Sequence, residues 1–77
     1  MNERLRLQGH LREQELQLNE LRIKANGLRD SLRDHLDPIA AVEDLNGEII
    51  ASQAMEFADT RIKIKECLAK IALIKKQ

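Results

Sequence analysis

Seventy-seven residues make one domain at most, and a chain this short buries only about 60% of the surface its unfolded form exposes. Thirteen Lys and Arg balance thirteen Asp and Glu, which argues against a whole-chain nucleic-acid binder, and 43% apolar residues are too many for a disordered tail. One aromatic residue, one Val and one Thr leave little material for strands and point to helices packed by Leu, Ile and Ala.

The opening MNERLRLQ has no apolar core behind its charges, so no signal peptide is expected, and no run of 18 apolar residues is present to cross a membrane. A soluble, cytoplasmic protein with no membrane association is the expectation. The lone Cys67 has no partner for an internal disulfide and no metal-ligand spacing around it, so neither a metal nor a cofactor is expected. Without such staples, a chain of this size relies on regular helix packing, often completed by a second copy.

A first helix is expected over about 3–36. Leu7, Leu11, Gln14, Leu18, Leu21, Ala25, Leu28, Leu32, His35 and Ile39 recur at alternating spacings of three and four and form one coiled-coil-like seam. Gln14 is the polar exception, a type of residue that sets register in such seams. Gly9 and Gly27 each cost about 1 kcal/mol relative to Ala in a helix interior, so fraying before Gly9 and close approach of a neighbouring helix at Gly27 are expected.

Leu36-Asp37-Pro38 ends that helix, because proline disfavours helical geometry in the residue before it, and Asp37 is placed to cap the turn that follows. A second helix is expected over about 38–45, with Ile39, Val42 and Leu45 at three-residue spacing, and again over 48–75. The best seam beyond Asn46-Gly47 is Ile50, Ala54, Phe57, Arg61, Ile64, Leu68 and Ile71. The stripe slips by about one residue across Asn46-Gly47, which points to a break there; one continuous helix that tolerates a glycine is the alternative. Cys67 lies on a broad apolar arc and reads as a small buried hydrophobe.

Two long helices with so short a connection run antiparallel, so the expected fold is an all-α helical hairpin, a single domain over 1–77, with two copies forming a four-helix bundle. Charge supports this. Residues 38–60 hold five acids and no Lys or Arg, and would lie beside the Arg22–Arg33 stretch, while the basic Arg61–Lys76 stretch returns beside Glu3, Glu13, Glu15 and Glu20. Leu18, Leu21, Leu28, Leu32, Phe57, Ile64, Leu68 and Ile71 are the expected hairpin core. Ile62, Ala69 and Leu73 form a second apolar strip on the last helix, and Leu16 and Ile23 stand one heptad apart off the main seam; these five are the candidate partner-binding residues.

No catalytic set emerges. His10 and His35 are about 37 Å apart along one helix and read as seam or surface residues. Asp30, Asp34 and Asp37 make a solvated edge, and neither a phosphate loop nor a nucleophile elbow is present. The six cations from Arg61 to Lys76 suit a helix C-terminus, and nucleic-acid binding is disfavoured because no short recognition helix is visible.

The stretches LRLQGHLREQELQLNELRIKANGLRDSLRDHLDP and DLNGEIIASQAMEFADTRIKIKECLAKIALIKK resemble, in size, hairpin pattern and texture, the small all-helical proteins encoded in the early regions of Mu-like transposable phages. That resemblance implies a host-takeover protein acting in the host cytoplasm by binding and inhibiting a host protein, such as a transcriptional regulator. It transfers no individual residue. The reading reached here is a non-enzymatic, dimeric protein-binding module. Its rivals are a nucleic-acid-associated regulator using the basic C-terminal tail, and a structural coiled-coil adaptor or assembly factor.

Overall fold

The computed structural model describes residues 3–76; residues 1, 2 and 77 of the expected domain lie outside the described residues. Two helices, α1 (Glu3–His35) and α2 (Gly47–Lys76), fold back on each other as an all-α hairpin, a rod of 61 × 15 × 14 Å. Antiparallel pairing follows from two contacts: Lys24 meets Glu56 at 3.8 Å, and ten residues earlier in α1, Gln14 meets Cys67, eleven residues later in α2. The ion pair is half exposed at both ends, so it reports orientation and adds little stability.

α1 forms because leucines recur on one face over 33 residues without a proline, and its ends suit the helix dipole, with Glu3 in the first turn and Arg33 and His35 in the last. Leu7, Leu11, Gln14, Leu18, Leu21, Leu28, Leu32 and His35 are half-buried and Ala25 is buried, which is the expected seam as far as His35. α1 is helical from Glu3 through Gly9, and the close approach expected at Gly27 is not made within the hairpin, since a Cβ built there meets nothing within 4 Å.

The connection departs from expectation. Pro38 does end α1, and the Asp37 Oδ1 accepts a hydrogen bond from the Ile39 N–H at 2.9 Å, yet no α-helix grows over 38–45. The segment makes only a 3-10 turn over Val42–Asp44, in which the Asp44 N–H donates to the Ala41 carbonyl (3.0 Å) and the Leu45 N–H to the Val42 carbonyl (3.2 Å). Eight residues are too few to offset helix nucleation without tertiary contacts. Of its three spaced apolar residues only Leu45 is half-buried: Ile39 and Val42 are 91% and 81% exposed, so Ile39 does not continue the α1 seam.

α2 starts cleanly at the Asn46-Gly47 step. The Asn46 Oδ1 accepts from the Ile49 N–H at 3.1 Å and its carbonyl from the Ile50 N–H at 3.0 Å, the two bonds of an N-cap. From there one helix runs to Lys76. Its inner face is Ile50, Gln53, Phe57, Thr60, Ile64, Cys67, Ile71 and Ile74.

Every seventh residue of the expected seam is therefore right, and the positions between are wrong by one: Gln53, Thr60 and Cys67 face α1 in place of Ala54, Arg61 and Leu68. Leu68, expected in the core, is 41% exposed, whereas Cys67 is 4% exposed. The expected seam would have turned the Arg61 guanidinium inward, and desolvating an unpaired charge costs more than burying one leucine returns. The observed seam buries polar groups that are satisfied. Thr60 is buried because its hydroxyl donates to the Glu56 carbonyl one turn back (2.8 Å), and the Cys67 thiol lies 3.0 Å from the Gln14 carbonyl and 3.4 Å from its Oε1. Gln14 and Cys67 thus make a polar layer that only one register satisfies. Gln53 Oε1 is the exception, buried without a partner among the described residues.

Candidate protein-binding surfaces

A two-helix rod has one internal interface, so its chemistry lies mostly on the outside. On α1 the positions opposite the seam are Gly9, Leu16, Ile23 and Asp30, and the flanks are charged or amide residues over most of the length. Leu16 and Ile23 stand out, 61% and 63% exposed. On α2 the positions opposite the seam are Met55, Ile62 and Ala69, seven apart, with the row Ala51, Ala58, Lys65 and Ala72 about 40–60° round the helix beside them. Ile62 remains half exposed and Met55 more so. The α2 outside is thus a second seam of mostly small apolar residues, interrupted by Lys65.

All five candidate partner-binding residues are exposed, but the fold does not bring them together. Leu16 and Ile23 point away from α2, Ile62 and Ala69 away from α1, so the two pairs occupy opposite faces of the rod. Leu73 is set to one side of Ile62 and Ala69, where with Leu7, Ile74 and Lys70 it lines a shallow cleft of about 240 Å³ between the helices. Met55 was missed although it stands one heptad before Ile62. The apolar tip of the hairpin, Ile39 and Val42 among Asp37, Glu43 and Asp44, was also missed, since three-residue spacing of apolar residues reads as a helix face.

A cleft of about 360 Å³ runs along one side of the rod and interleaves Lys24, Lys63 and Lys70 with Glu20 and Glu66 beside Cys67. Mixed charges spread along a groove neutralise one another and converge on no single point. Among the described residues no three His, Cys, Asp or Glu side chains are grouped to hold a metal ion, and no helix is long and apolar enough to cross a membrane.

Zero net charge conceals a polarity. The half of the rod made by residues 3–20 and 61–76 holds nine Lys and Arg against five acids, and the loop half, residues 21–60, holds four against eight. One end therefore carries a net +4 and the other −4. The rod also exposes 6337 Å², about 1,500 Å² more than a compact monomer of 8.8 kDa would show. Comparison with protein-family models, with curated proteins and with solved structures returned no match.

Proposed function

We propose that this chain is a small non-enzymatic protein–protein interaction module that works as a homodimer. In line with its resemblance to early-region proteins of Mu-like transposable phages, its task is to bind and inhibit a host protein, such as a transcriptional regulator, in the host cytoplasm. The observation that carries this reading is the apolar residues left over once the hairpin seam is filled: exposed strips on both helices of a rod with surplus surface mark sites to be covered. Leu16 and Ile23 on α1, and Ile62, Ala69 and Leu73 on α2, are the contact residues.

The test is affinity capture from host lysate with the wild type and with Leu16→Glu/Ile23→Glu, followed by calorimetry on the captured protein. Capture lost in the double variant with helicity retained, a negative heat-capacity change and mild salt dependence are expected. The nine cations of the basic half favour one rival reading, a nucleic-acid-associated regulator. Tight binding of duplex DNA at low salt that falls steeply by physiological salt, and that is lost on removing Lys75 and Lys76, would replace the protein-binding reading with that one.

A further inference from the structure

We infer that the outer face of α2 is a self-recognition surface, on which a second copy of this chain docks α2 against α2 in antiparallel orientation about a twofold axis close to Ile62. This rests on the dimeric module proposed above and specifies its face and direction. Three observations converge on it. The first is the strip itself: Ala51, Met55, Ala58, Ile62, Lys65, Ala69 and Ala72 recur at the three-and-four spacing of a helix–helix seam, apolar at every position but Lys65, and it is solvent-exposed along its length. Ile62 lies at its middle. A twofold axis there sets each Met55 toward Ala69 of the other copy and each Ala51 toward Ala72, bulky against small and small against small, and sets each Lys65 toward Ala58 and Asp59, where its stem can cover the alanine and its ammonium reach the carboxylate.

Area is the second. A standard interface removes about 800 Å² from each partner, and the surplus of about 1,500 Å² per chain covers that and leaves exposed surface on α1 for another protein. The third is charge, which fixes direction. Residues 47–60 of α2 hold Glu48, Glu56 and Asp59 with no Lys or Arg, whereas residues 61–76 hold six cations against Glu66. Parallel docking sets the six cations beside six more; antiparallel docking about Ile62 sets Lys65 beside Asp59 and Lys76 beside Glu48 of the other copy and aligns the −4 end of each rod with the +4 end of its neighbour. The corresponding strip on α1 alternates Leu16 and Ile23 with Arg12, Asn19 and Asn26 and offers no such seam.

Sedimentation equilibrium on the wild type measures the mass, and zero-length carbodiimide coupling in a mixture of ¹⁴N and ¹⁵N wild-type protein reports direction. A mass twice 8.8 kDa is expected, with intermolecular links joining Glu48, Glu56 or Asp59 to lysines between Lys65 and Lys76. Fifteen residues of helix separate Gly47 from Ile62, so spin labels on Ala41→Cys, in a Cys67→Ala background, should stand more than about 45 Å apart in the dimer, against about 25 Å or less if the rods were parallel. Ile62→Glu should raise the dimer dissociation constant by about tenfold or more. Should that variant unfold, the wild-type links still decide. A mass of 8.8 kDa at every concentration overturns the inference and leaves host-protein binding to the capture experiment; a dimer with a short label distance, or with links between like-numbered stretches, overturns the antiparallel arrangement while the dimeric module stands.

Discussion

α1 and α2 share one seam but turn unlike outsides to solvent. α1 wraps its leucine face in Arg, Glu, Asp and amides, and leaves Leu5, Leu16 and Ile23 exposed on its outside as separate apolar side chains with polar residues between them. α2 carries its inner face of Ile50, Phe57, Ile64 and Ile71 and a second apolar line through Met55, Ile62 and Ala69 on its back. The difference teaches that burial demand in this molecule is unevenly shared. Outside the hairpin seam, α1 offers the isolated Leu16 and Ile23, whereas α2 offers an exposed line along its back.

Substitutions separate these roles. The largest effect belongs to the seam: Ile71→Ala should cost about 2–5 kcal/mol, read from urea denaturation at one fixed protein concentration, because Ile71 is 7% exposed and truncation leaves a cavity. Leu68→Ala should cost less than about 1 kcal/mol in the same measurement, and a loss equal to that of Ile71→Ala would mean the seam runs through Leu68. Next comes a gain: Gln53→Leu removes a buried, unpartnered amide oxygen and should raise stability by about 1–3 kcal/mol, seen as a higher urea midpoint. Asn46→Ala, which deletes the α2 cap, should cost about 1 kcal/mol and lower the thermal midpoint. Smallest is Gly27→Ala, expected to stabilise by about 0.5–1 kcal/mol, since its site is helical, open and free of neighbours; destabilisation would reveal a contact on the outside of α1 that the hairpin alone does not make.

Much of this fold was legible in the residues, and the misses share a cause. Leucine periodicity identified the α1 seam position by position up to His35, and Pro38 and Asn46-Gly47 marked both ends of the connection. In α2 the inner and outer faces are both apolar, so counting apolar residues could not choose between Leu68 and Cys67; the choice was made by polar groups whose partners lie far away in sequence, as in the Gln14–Cys67 layer. The tip misled for the opposite reason. Ile39, Val42 and Leu45 have the spacing of a helix face, yet a hairpin this narrow has no third element for that face to pack on, and a short segment without a packing partner does not pass the nucleation barrier. Candidate contact residues were recognisable as apolar positions off the seam, but their division between opposite faces depended on which side of each helix meets the other.

The antiparallel layout also grades the molecule in time. Contacts beside the connection close short loops, Lys24 with Glu56 closes a longer one, and Gln14 with Cys67 joins residues 53 apart. Loop-closure entropy rises with that separation, so the hairpin should form from the Asn46 cap outward, each turn shortening the effective loop for the next. Truncations near the connection, such as Leu32→Ala or Ile50→Ala, should then slow folding, and truncations near the termini, such as Leu11→Ala or Ile71→Ala, should chiefly speed unfolding. A rod that zips from one end opens from the other, and the end that opens first is the positively charged one.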